Sequence, residues 1–187
     1  TRDRATTISF AVLPGQEVSQ EESRAIAQAY GLPSTFFFMP NQFWRHKNHT
    51  LVIDALLRLK EKGQHIVVVA SGKENDPRAP DHFGQLMERV EQGGIEDMFK
   101  PLGMIPYAHI RALMRQCTAL LNPSLFEGWS TTVEEAKAMG TPMLLSDLSV
   151  HREQAGSAAT YFKRDSAEGL ANALQRFGSI DNEQRCV

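Results

Sequence analysis

The sequence predicts a doubly wound α/β domain, a parallel sheet of about six strands with helices on both faces. Three observations carry that prediction. Short runs such as Phe36–Met39, Ile66–Ala70 and Met143–Leu145 are apolar at every position, as strands buried on both faces are. Amphipathic stretches of helical period separate them. Gly, Pro and Asn stand at the joints. Length agrees, since 187 residues suffice for one well-packed domain and are too few for two large ones.

The first stretch is strand-like over Thr7–Leu13 and is broken by Pro14 and Gly15. Gln16–Tyr30 is helical, with Gly31 at the C-terminal cap and Pro33 ending the segment. Residues 1–33 read as a connector leading into a domain over residues 34–178. That domain opens with strand Phe36–Met39. Helix Asn48–Lys62 follows, placing Leu51, Val52, Ala55, Leu56 and Leu59 on one face. Strand His65–Ala70 leads through Ser71-Gly72-Lys73 to helix Asp81–Gln92, closed by Gly93-Gly94. Met98–Leu102 is a weaker third strand, and Ala108–Gln116 a helix. Thr118–Leu121 is the fourth strand, followed by a loop and a helix bearing Val133, Ala136 and Met139 on one face. Gly140 and Pro142 stop that helix. Pro142–Ser146 and Ala159–Phe162 are the last strands, with a short helix over Ser149–Gln154 between them. Ser166–Phe177 is the final helix, and residues 179–187 form a polar, frayed tail.

The doubly wound strand order 3-2-1-4-5-6 has a spatial consequence. Its switch point lies between strands one and four, and ligands bind there, outside the carboxyl ends of the strands. Pro40–Lys47 follows strand one and Asn122–Thr131 follows strand four. Two loops far apart in sequence should therefore face each other across one crevice.

Composition removes several classes. A formal charge of −2 gives nucleic-acid binding no support. Two cysteines make no disulfide framework; Cys117 reads as a small core residue, and Cys186 lies in the tail. With no disulfide framework, a reducing cytoplasm is the default expectation, and neither a secretory leader nor an apolar run long enough to cross a bilayer is expected.

The two loops carry chemistry suited to a phosphate. In the second, Thr131 and Glu134 have the spacing of a capping box at a helix start. The N–H groups at such a start form a site for an anion. Glu127 and Glu135 flank it, a layout that matches a nucleotide sugar, with diphosphate in the middle and hydroxyls at either end. In the first loop, Arg45, His46, Lys47 and His49 gather positive charge before a helix N-terminus, where cations are mildly unfavourable unless an anion is bound. A solvated charged turn anchored by Trp44 is the plain alternative. A metal at His46 and His49 lacks further ligands at credible spacing. His82, His109 and His151 suit surface or cap positions, and His151 alone stands close enough to strand five to be watched. A dinucleotide dehydrogenase is set aside because the loop after strand one contains no glycine.

Phe-Glu-Gly-Trp at 126–129, seven residues between Glu127 and Glu135, and Ala-Lys-Ala-Met-Gly-Thr-Pro at 136–142 together resemble the C-terminal half of retaining GT-B glycosyltransferases of family 4. Asn122-Pro123-Ser124, Ser146-Asp147-Leu148 and Arg152-Glu153 fit the same pattern, which extends from about Leu13 to Phe177. The resemblance implies a single Rossmann-like domain, the donor-binding half of an enzyme that moves a sugar from a nucleoside diphosphate to an acceptor hydroxyl. The reaction would proceed with retention at the anomeric carbon and serve polysaccharide or glycoconjugate synthesis. It implies that Glu127 holds hydroxyls of the donor sugar and acts at the reacting centre, and that Glu135 holds the ribose. Gly128, Trp129, Ser130, Thr131 and Thr132 would border the diphosphate, with Lys47 contacting the same phosphates. Gly103, Met104 and Ile105 would lie beside the base. Glu135 could also serve only its helix start, and Met104 and Ile105 could be ordinary core residues.

Many members of the family carry an arginine shortly after strand one. Asn41 and Gln42 occupy that region here, which leaves Arg45 to take over the charge. The resemblance implies no cofactor and no metal, with the nucleotide sugar as substrate. It also implies an N-terminal acceptor-binding half outside this chain, which leaves open a peripheral contact with the inner membrane face through that half. The chain alone is expected to be inactive. Rival readings are a non-catalytic nucleotide-binding scaffold and a nucleotide-sugar epimerase of the same fold.

Overall fold

The computed structural model describes Val12 and residues 18–185, with side chains as far as Gly178. Apart from Val12, the expected strand at Thr7–Leu13 lies outside the described residues, as do its break at Pro14 and Gly15, and Cys186. Six parallel strands form one sheet: β1 Phe37–Met39, β2 Val68–Ala70, β3 Phe99–Pro101, β4 Ala119–Asn122, β5 Met143–Ser146 and β6 Ala159–Phe162. Their order is β3-β2-β1-β4-β5-β6, so chain direction reverses its walk across the sheet between β1 and β4. Phe37 stands opposite Val68 on one side and Ala119 on the other.

Because a strand alternates its side chains, each apolar run feeds two cores. Phe37, Met39, Val68, Ala70, Leu121 and Leu144 enter one cluster, which is completed by helices α2 (His49–Glu61), α3 (His82–Gly93) and α7 (Ala167–Arg185). Phe36, Phe38, Val69, Leu120 and Leu145 enter the other. That face is covered by α1 (Gln20–Ala29), α4 (Tyr107–Gln116), α5 (Thr131–Met139) and α6 (Ser149–Ala155). The six strands expected from Phe36 onward are each met to within a few residues, and Cys117 is buried as expected, its Sγ donating to the Met114 carbonyl.

Some details differ. The helix α1 is not an isolated lead-in, since Ala27 is buried with Leu113 and Met114 in the second core. Its first turn is capped by Ser19, whose side chain accepts from Glu22 N. The last helix runs past the expected end at Phe177 and takes in residues expected as a tail, as far as Arg185. Among the described residues no helix is long and apolar enough to cross a membrane.

Candidate functional site

The loops after β1 and β4 meet at the switch point, as the strand order requires. Arg45–Lys47 make one 3-10 turn that ends at Asn48 in the left-handed region, φ 62°. Asparagine tolerates that conformation better than most residues. Here its side chain also ties three loops together, donating to the carbonyls of Pro123 and Arg164 at 3.0 Å each. Leu125 N donates to the His46 carbonyl at 2.8 Å, and the His46 ring stacks on Phe126 at 4.7 Å. His49 turns the other way, stacking on Phe43 inside the core. The two histidines considered as metal ligands therefore diverge, and among the described residues no group of three or more candidate ligands forms.

The centre of the site is an ion pair, Lys47 Nζ to Glu127 Oε1 at 2.6 Å. Both side chains are largely buried, at 14% and 9% exposed. Burial pushes the Glu127 carboxyl up, but hydrogen bonds from Lys47 and Ser124 and the charge of Lys47 outweigh it and hold the group below its usual range. Ser124 Oγ lies 2.7 Å from both Glu127 Oε1 and Asn122 Oδ1, and its one proton serves one of them at a time. Ser146 Oγ, at the end of β5, donates to the Ser124 carbonyl. His151 donates from Nδ1 to the Ser146 carbonyl at 2.9 Å, is wholly buried, and has no hydrogen-bond partner at Nε2. Burial holds its pKa below the usual value, so the ring is neutral at pH 7. It sits in the electrostatic field of both Glu127 and Lys47, so the histidine kept in view from sequence does border the site.

The helix start departs from the expected capping box. Ser130, not Thr131, is the N-cap of α5, and no side chain caps it. Glu134 does not turn back to the cap because Gln154 of α6 takes it, donating from Nε2 to Glu134 Oε1 at 2.9 Å. The same amide accepts from Ser130 N and donates to Ser130 O, so Ser130 N–H is already committed. Thr131 is exposed and Thr132 half-buried, with Thr132 Oγ1 3.0 Å from Ser130 Oγ. Gly128 is exposed and Trp129 half-buried beside them.

Glu135 lies one turn further on, where Tyr107 Oη donates to its Oε1 at 2.7 Å. The loop after β3 carries Gly103 with φ 63°, and its carbonyl accepts from Gly72 N. Met104 is 71% exposed, whereas Ile105 packs against the second core. Arg45 is exposed and its charge acts on His82; among the described hydrogen bonds and ion pairs, the loop cation that reaches the acidic loop is Lys47. Sequence reasoning missed Tyr107, Gln154 and the bridging role of Asn48. Each acts through partners at least 20 residues away, which no local spacing displays.

A hollow of about 700 Å³ opens at the other end of the sheet, among Gln64, His65, Asp97 and Gln175. It lies at the amino ends of β1 and β2, away from the switch point where open α/β sheets bind ligands.

Known proteins resemble this chain in sequence and fold. The family model for glycosyl transferases group 1 matches residues 15–185. The O-antigen chain mannosyltransferase RfbU of Salmonella typhimurium is 23% identical over 147 residues, covering 78% of this chain and 39% of its own. The putative glycosyltransferase EpsF of Bacillus subtilis is 30% identical over 115 residues, covering 62% of this chain and 28% of its own. The chain thus spans less than half the length of these relatives. Among solved structures, a glycosyltransferase of Rickettsia africae superposes with a TM-score of 0.77 at 19% identity, covering 87% of this chain and 43% of that one. HepE of Anabaena, solved in complex with UDP, superposes at 0.76 with 20% identity, covering 89% of this chain and 45% of that one. With its Rossmann-like six-stranded sheet matching GT-B glycosyltransferase structures, the chain belongs to the glycosyl transferases group 1 family.

Proposed function

We propose that this chain is the donor-binding half of a retaining glycosyltransferase of family 4 type, moving a hexose from a nucleoside diphosphate to an acceptor hydroxyl. The observation that carries the reading is the 2.6 Å contact between Lys47 and Glu127, contributed by loops 80 residues apart. It joins a cation suited to a diphosphate with a carboxylate suited to sugar hydroxyls. In the reaction the leaving diphosphate accumulates negative charge. Lys47 and the N-terminus of α5 stabilise that charge where it develops, with Arg45 adding a longer-range field. Glu127, freed as Lys47 turns to the phosphates, accepts hydrogen bonds from the sugar. HepE, which shares this fold, was solved in complex with UDP, and that likeness supports a nucleotide as part of the ligand. Polysaccharide or glycoconjugate synthesis is the setting we infer, with a further acceptor-binding half as the partner and no resident metal.

The test is Glu127→Ala in the full-length protein. Sugar transfer should be lost while bare nucleotide binding stays within about threefold, because only the sugar end of the donor is affected. Equal loss of both would place the sugar site elsewhere. Release of nucleotide from donor in the absence of acceptor would favour the epimerase, and nucleotide binding with no turnover would favour the scaffold.

A further inference from the structure

We propose that Tyr107 is a positioning and specificity-determining residue at the ribose end of this site, where with Glu135 it selects a ribonucleoside over a 2′-deoxyribonucleoside diphosphate. This rests on the reading of Glu135 as the ribose carboxylate. Tyr107 is the first residue of α4, and it crosses to α5 to donate to Glu135 Oε1 at 2.7 Å. It is 54% exposed, so the core does not need it. A large aromatic side chain held half in solvent by a hydrogen bond to a site carboxylate is explained by what the pair does together.

The pair presents a row of acceptors. A carboxylate has about four lone-pair positions, and Tyr107 occupies one of them on Oε1. The phenolic oxygen keeps a lone pair after donating. Burial and the Glu135 carboxylate keep the phenol protonated, against the weaker pull of the Arg111 charge. A vicinal diol therefore finds a partner for each hydroxyl, one on Glu135 and one on Tyr107 Oη. Loss of the 2′-hydroxyl leaves one acceptor unpaired, which is how a site built to bind a hydroxyl rejects its deoxy analogue. Tyr107 makes the difference because it holds the glutamate in one rotamer. An untethered glutamate on a helix surface would turn to whichever single hydroxyl remained, and the discrimination would fade.

Calorimetric titration of the full-length protein with UDP and with 2′-deoxy-UDP tests this in wild type, Tyr107→Phe, Glu135→Ala and the double variant. Tyr107→Phe should weaken UDP about three- to tenfold and leave 2′-deoxy-UDP within about twofold, the scale of one hydrogen bond. Donor KM should rise with kcat unchanged, and the phenylalanine should cost less in the Glu135→Ala background, where no carboxylate holds the phenol in place. Equal weakening of both nucleotides, unchanged UDP affinity, or tighter binding by Tyr107→Phe would each overturn the proposal while leaving the ribose reading of Glu135 intact. A Glu135→Ala variant that binds UDP as wild type does would overturn that reading, and the proposal with it.

Discussion

Lys47 sets the charge of Glu127, and pH reveals it. In the native protein the carboxyl titrates below its ordinary value, so its stabilising contribution is present above that value and is lost as pH falls through the native pKa. Lys47→Met removes the cation and leaves the burial. The carboxyl should then titrate above the ordinary range, and stability from this group should fall, not rise, as pH increases through that window. At pH 7 the uncompensated carboxylate should cost on the order of 3 kcal/mol, since breaking one side of a buried pair is expensive. Carbon-detected NMR titration of the Glu127 carboxyl and urea melts at two pH values check both statements. An unshifted carboxyl would show that Ser124 alone sets its charge. His49 supplies a second test. Burial, with a smaller push from His82, drives its pKa down to about 3 from 6.5. The unfolded chain thus binds a proton that the folded one refuses, and stability is lost as pH falls between those values. His49→Leu should flatten that slope by up to about 1.4 kcal/mol per pH unit in urea melts between pH 6 and 4.

The element scale explains what was legible and what was not. The runs at Phe36–Met39 and Val67–Ala70 announced buried strands because every residue is apolar, and both faces proved covered. Spacing also announced that the turns around Lys47 and Glu127 would meet, since strand order alone brings them together. The capping box failed because its glutamate had a better partner in α6, Gln154, which a local pattern cannot display. Loop seating was equally hidden. Gly72, after β2, has φ 154°, and a Cβ there would stand 2.5 Å from the Asn41 carbonyl oxygen and 2.8 Å from Gln42 Cα. Those are backbone atoms of the cationic loop and cannot rotate aside. Gly72→Ala should therefore cost about 2 kcal/mol or more and weaken nucleotide binding by displacing that loop. Gly84→Ala, on the exposed side of α3, is the control, because a Cβ there meets nothing within 4 Å. Thermal melts and UDP titration of the two variants should separate them, and a Gly72→Ala protein indistinguishable from Gly84→Ala would show that the loop is not seated by this contact.

At the scale of the molecule, folding and catalysis make different demands on the chain. Two apolar clusters close the sheet on both faces using residues of this chain alone, from Phe37 with Leu56 and Leu174 on one side to Phe38 with Leu113 and Val133 on the other. Cooperative folding of the 187 residues is the expectation. The carboxyl end of the sheet is different. Leu125 at 40% exposed and Phe126 at 62% stand beside Glu127 in the chain, and Tyr107 and Met104, in the segment after β3, are exposed at the same end of the sheet. A reacting glycosidic carbon needs water kept away, and field effects of the kind proposed for Lys47 weaken in an open, wet cleft. Under the proposed function the chain by itself should therefore bind UDP, more weakly than the full-length protein, and transfer sugar at under about one thousandth of its rate, the several kcal/mol that positioning and exclusion of water are worth. Titration and a transfer assay on the two proteins side by side measure this. Turnover by the 187-residue chain at the rate of the full-length protein would mean that one wall of the cleft suffices, and that the acceptor is held by residues on this domain.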